Sequence, residues 1–259
     1  MSATAQRWVL IDETAGAACA NGDKLSPEAL ALIAELALLQ LNGEFSDEYG
    51  GLYSIRVGSG PTDIEPGERA FVYKATLPEA PGASAYHDRN GQGVPVAFCA
   101  VTTCQDLYGP VGVLVDTTHE LLEAAADPGA DLEADDGVHV HAYEVCDPVE
   151  VQTYPKTASN GAVGMVSNWV LRSWWVPGAA GPYDYMNAAG FPGAVAPPRP
   201  LEIAPGDGGN YQIMGPSSQA QQAQVFGRRI VGSPRKPNRV SHWSSRASRR
   251  LGPPTARAT

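Results

Sequence analysis

The chain is short of cysteine, has no long apolar run, and lacks acidic residues in its last 33 positions. Each shortage excludes something. Four cysteines, Cys19, Cys99, Cys104 and Cys146, are too few and too scattered for a disulfide framework. Cys99 and Cys104 have no second pair to complete a zinc ribbon, so buried free thiols are expected. No apolar stretch approaches the roughly 20 residues that span a bilayer. Residues 1–11 lack the basic start and apolar centre of a secretory signal. The expectation is no membrane partner, and residence in the cytoplasm of the producing cell.

What is present divides the chain electrostatically. The net charge is −10, but the segment from Gly227 to Thr259 holds nine basic residues and no acid. The remainder therefore carries nine bases against 28 acids. An acidic body and a basic arm are implied, with the boundary at 205/206, inside a stretch dominated by Gly, Pro and Ala from Gly178 onward. A segment of Arg, Ser and Pro cannot build its own core. Its cations need anions, and acidic bodies of neighbouring copies would supply them. A nucleic-acid partner is the weaker expectation. The acidic body would repel a duplex, and Trp243 is the only aromatic interleaved with the arm's basic residues.

Within residues 1–205 the pattern is mixed α and β. Arg7–Ile11, Leu52–Val57, Glu68–Thr76 and Val94–Val101 read as strands, and Ala85–Gly93 as a polar loop or hairpin. Ser26-Pro27 opens a helix with a capping hydroxyl and a proline at the first helical position, and Asn42-Gly43 should stop it. Val111–Val115 reads as a buried strand, 129–136 as an acidic loop, and 137–145 as an alternating strand carrying His139 and His141. Trp169, Trp174 and Trp175 are expected in the core.

The chemistry concentrates on a second helix, from Asp116 to Asp127, ended by Asp127-Pro128-Gly129. With His119 at 0°, Glu123 falls at about 40°, Asp127 at about 80° and Glu120 at about 100°. Leu121, Leu122, Ala125 and Ala126 take the opposite face. One imidazole and three carboxylates on one side can hold a divalent ion. They can equally be an acidic face turned to water.

The motif His119-Glu-Leu-Leu-Glu-x3-Asp127-Pro is followed by Tyr143-Glu-Val-Cys-Asp-Pro-Val-Glu150 and Val166-Ser-Asn-Trp-Val-Leu-Arg-Ser-Trp-Trp175. Together with Tyr86-His-Asp and the Gly93–Ala97 stretch, it resembles a group of uncharacterised bacterial and tailed-phage proteins with a zincin-like fold. The resemblance implies an α+β domain, a mixed sheet with two main helices and the site on the second. To this the chain adds an extended irregular basic C-terminal arm. It implies zinc held by His119 and Glu123, Glu120 as the catalytic base, and a third ligand from Glu144, Asp147 or Asp127. A carboxylate replaces the second histidine usual in zincins, which makes the ligand set harder and more negative. Three functions follow. The first is a structural subunit of a tailed-phage virion, as capsid decoration, connector or tail component. There the arm would contact other copies and other virion proteins, and the metal site would be a vestige without catalytic function. The second is a zinc metallopeptidase, and the third a nucleic-acid-binding protein.

Overall fold

A computed structural model describes residues 5–81, 83–135 and 139–205 and the backbone of 213–216. The basic residues from Arg228 to Arg257, Trp243 and the His139 side chain lie outside the described residues.

Strand β1 (Gln6–Glu13) leads into α1 (Pro27–Gln40). Ser26 caps α1, its Oγ accepting the Ala29 N–H at 3.1 Å, and Pro27 opens the first turn. Asn42-Gly43 does not stop the helix as expected. The backbone departs from helical values only at Gly43, inside a widened turn (Leu41–Phe45), and α2 (Ser46–Tyr49) continues to Gly50. The reason is tertiary: Leu41 and Phe45 are buried, and Asn42 is tied to the Tyr53 backbone through both side-chain atoms. The run from Pro27 to Tyr49 has the length and composition of a membrane span. Here Leu30, Ile33, Leu36 and Ala37 are core residues.

Strands β2 (Tyr53–Val57), β3 (Glu68–Lys74), β4 (Ala85–Arg89) and β5 (Pro95–Ala100) complete a five-stranded sheet ordered β2-β1-β3-β5-β4. β1, β2, β3 and β5 are parallel, and α1 lies in the crossover between β1 and β2. β4 is antiparallel at one edge, joined to β5 by a hairpin in which Asn90 Oδ1 accepts the Gln92 and Val94 N–H groups. Alternation divides the sheet. Trp8, Leu10, Phe71, Tyr73, Ala97 and Cys99 join the main core, while Val9, Ile11, Ala70 and Val72 form a separate cluster.

The second long helix, α3 (Val113–Ala126), packs on β4 and β5. Its start corrects the expected strand: Val113–Val115 are its first turn, and only Val111 is exposed. No side chain caps it. The Val113 and Leu114 N–H groups are taken by the Asp106 and Leu107 carbonyls, so the helix starts before the capping residues Asp116, Thr117 and Thr118. The expected stop at Asp127-Pro128 is where α3 ends.

The strand β6 (Glu133–Asp135) occupies part of the expected acidic loop and pairs with β7 (His139–Ala142). A hairpin of β8 (Thr153–Thr157) and β9 (Val163–Ser167) lies over α3. Gly164 permits this approach: a Cβ there would sit 2.4 Å from Leu114 Cδ2 and 2.9 Å from Leu36 Cδ1. Trp169, Trp174 and Trp175 are buried as expected, with Trp175 stacked on Tyr143 at 4.0 Å. Finally β10 (Ile213–Pro216) pairs antiparallel with β7 of the same chain, so the 205/206 boundary leaves a strand of the body on its far side. The described residues are thus an α+β fold with a mixed sheet and two main helices, as expected.

Candidate metal centre

α3 is buried on both sides. Leu121, Leu122 and Ala124 belong to the core, and His119, Glu120 and Glu123 on the polar side are at most 5 % exposed. An acidic face turned to water is therefore excluded. Burying ionised groups is costly unless partners meet them. Three come from outside the helix. His87 projects from β4, opposite the small side chain of Ala97 on β5. Glu144 and Asp147 come from the segment after β7, which is held by the Val170 N–H on the Val145 carbonyl and the Ala204 N–H on the Pro148 carbonyl.

Two groups of donors result, each with ligand atoms within 4.8 Å of one another: His119, Glu123 and Asp147, and His87, Glu120 and Glu123. His119 Nε2 lies 3.1 Å from Asp147 Oδ1 and 3.3 Å from Glu123 Oε1. His87 Nδ1 lies 3.0 Å from Glu120 Oε2 and 3.5 Å from Glu123 Oε2. The Cys146 N–H donates to Glu123 Oε1 at 3.2 Å. Burial disfavours a charged imidazole, yet the charge of Glu144 and hydrogen bonds to Glu120 and Glu123 hold His87 well above its ordinary pKa. His119 is raised in the same way, against its burial, by Glu123, Cys146 and Asp147. Burial would raise Glu123, but His119 and His87 hold it well below the carboxylate range. In the absence of an ion, the surrounding carboxylates favour the protonated form of both imidazoles. The same donors, once the imidazoles lose their protons, can hold a metal ion.

Of the expected site residues, His119, Glu123 and Asp147 come together, and Glu120 is beside them through His87. Glu144 faces His87 instead, its Oε2 at 3.7 Å from Nε2. Asp127 is in neither group; its Oδ2 accepts the Leu132 N–H at 2.9 Å and holds the turn after α3. His141 is buried but also in neither group. The residue to which sequence reasoning gave no role in the site is His87. Its signal was its place in the Tyr86-His-Asp motif of the resemblance, within a stretch read as a polar loop or hairpin.

A second cluster surrounds Asp116. The Cys104 and Cys99 thiols lie 3.5 and 3.9 Å from Asp116 Oδ2, and all four cysteines are free and buried, as expected. Burial pushes the Asp116 carboxyl up to about 6, and the nearby Glu120 charge adds to this while His119 opposes it.

No protein-family model, curated protein or solved structure matches the chain.

Proposed function

We propose that the chain is a structural subunit of a tailed-phage particle, built on a zincin-like domain whose metal centre holds the fold together. The observation that carries this reading is burial. His87, His119, Glu120, Glu123, Glu144 and Asp147 are all at most 5 % exposed. Structural metal sites are closed, whereas catalytic zinc keeps a position open to water and substrate. His119, Glu123 and Asp147 would hold the ion, tying α3 to the segment after β7. The mixed sheet, the two long helices and the His119–Glu123 motif on the second support the zincin-like reading. The particle role rests on the motif resemblance and on the division into acidic body and basic arm.

The experiment is elemental analysis of the desalted full chain, with thermal unfolding before and after chelation. A retained divalent ion, a midpoint that falls on chelation and no peptide hydrolysis are expected. A metal-free protein indifferent to chelator would refute the closed metal centre. For the particle role, a chain lacking residues 217–259 should stay folded but fail to assemble, since β10 remains with the body. Assembly unchanged by that truncation would refute the role of the arm.

A zinc metallopeptidase is the second reading, favoured by Glu120 lying next to the His119 and Glu123 ligands on one helix. Bound zinc would supply Lewis acidity, and Glu120 would take a proton from the attacking water. Under that reading Glu120→Gln abolishes hydrolysis and leaves the metal in place.

A further inference from the structure

Glu123 does not belong to one half of the centre. Its Oε1 faces His119 at 3.3 Å and its Oε2 faces His87 at 3.5 Å. We propose that the centre takes two divalent cations, with Glu123 as the shared carboxylate. His119 Nε2, Asp147 Oδ1 and Glu123 Oε1 bind one, and His87 Nδ1, Glu120 Oε2 and Glu123 Oε2 bind the other. The inference rests on the reading of α3 as a metal-binding helix and adds a second ion and its ligands.

Three observations carry it. The first is spacing. Two donors at about 2.1 Å from one ion are about 3.0 Å apart at a right angle and about 3.4 Å apart at a tetrahedral angle. The donor separations in the two halves, 3.1 and 3.3 Å in one and 3.0 and 3.5 Å in the other, are of that size.

The second is charge. Glu120, Glu123, Glu144 and Asp147 are four buried carboxylates. An imidazole that ligates a metal is neutral and brings no charge of its own. One divalent ion matches the charge of two of these carboxylates, and two divalent ions match all four.

The third is independent of the cluster's count. His87 Nε2 is buried and makes no hydrogen bond; Glu144 Oε2 stands 3.7 Å away. When Nδ1 of an imidazole binds a metal, its Nε2–H is left to donate, and a carboxylate in that position fixes the ring. Glu144 is therefore assigned as the positioning residue for His87, not as a ligand. Glu120, the base of the peptidase reading, becomes a ligand instead.

Each half offers one nitrogen and two carboxylate oxygens, a hard donor set suited to Mn²⁺ or Fe²⁺ as well as Zn²⁺. Helical-bundle carboxylate proteins hold pairs of iron or manganese ions with four carboxylates and two imidazoles, one carboxylate more than ligates here.

The test is to strip the full chain with chelator, reload it with Mn²⁺, desalt it, and measure manganese per chain alongside its electron paramagnetic resonance. Two ions per chain with an exchange-coupled signal are expected, and His87→Ala should retain one uncoupled ion. The coupled signal of the unmodified chain is decisive even if that variant fails to fold. One uncoupled ion in the unmodified chain overturns the second site and leaves the single-ion reading standing. No retained ion overturns both. Two ions persisting in folded His87→Ala also overturn the assignment, since the second would then sit elsewhere.

Discussion

The two long helices are both 14 residues long and are stabilised in opposite ways. α1 has a hydroxyl cap, a proline at its start, exposed residues along one side and apolar residues against the core. α3 has no side-chain cap and almost no exposed surface, and it carries His119, Glu120 and Glu123 into the interior. α1 is therefore specified by its own sequence and by apolar burial. α3 depends on groups that other elements bring to it: His87 from β4, and Asp147 and Glu144 from beyond β7. A helix can be the centre of a fold without being locally self-sufficient.

The largest effect should come from breaking the polar side of α3. Glu123→Ala leaves His119 and His87 without their shared carboxylate and should cost about 3–5 kcal/mol. It should also abolish retained metal, which denaturant unfolding and elemental analysis would measure together. Unchanged stability and metal content would show that the centre does not anchor the helix.

Next in size is the apolar side of α1. Leu36 is fully buried where Gly164 brings the β8–β9 hairpin close. Leu36→Ala should cost about 2–5 kcal/mol by leaving a cavity. Metal content should not change, and a variant that loses its metal would mean that the helices are not separable in role.

Ser26→Ala removes the hydroxyl that accepts the Ala29 N–H and should cost about 1 kcal/mol in the same unfolding assay. A null result would shift α1's stability wholly onto its packing.

The last effect is a slope with pH in the chelated protein, spread over a range of pH and not read at a single one. Asp116 is half-buried, and its carboxyl is raised from 3.8 to about 6. The folded state therefore binds this proton more tightly than the unfolded chain. The associated stability is full below about 3.8 and is lost as pH rises through about 6. Asp116→Asn lacks that loss, so its stability relative to the parent should rise between pH 4 and pH 8. A pH-independent difference would place the carboxyl in the ordinary range.

Much of the fold was legible because its rules are local. Ser26-Pro27 marked a helix start, Asp127-Pro128 marked a helix end, and short apolar runs bounded by turn-rich stretches marked β1, β2, β3 and β5. The misreadings were non-local. Val113–Val115 form a continuous apolar run that periodicity cannot divide between strand and helix. They are helical because the Asp106 and Leu107 carbonyls sit where the first turn needs acceptors. Gly43 kinks a helix that buried Leu41 and Phe45 carry onward.

The site divides the same way. The sequence by itself determined that His119, Glu120 and Glu123 share one side of a helix, because 100° per residue permits nothing else. It left Glu144, Asp147 and Asp127 as equal candidates, because nothing in spacing along the chain tells which carboxylate returns. Tertiary structure decided that. The hairpin partner Ala97 leaves room for His87, the 3₁₀ turn at Asp147 brings its carboxylate to His119, and Asp127 is taken by the Leu132 N–H. Helical periodicity places residues a turn apart, but only the packing of β4 and the segment after β7 against α3 sets which donors meet across space.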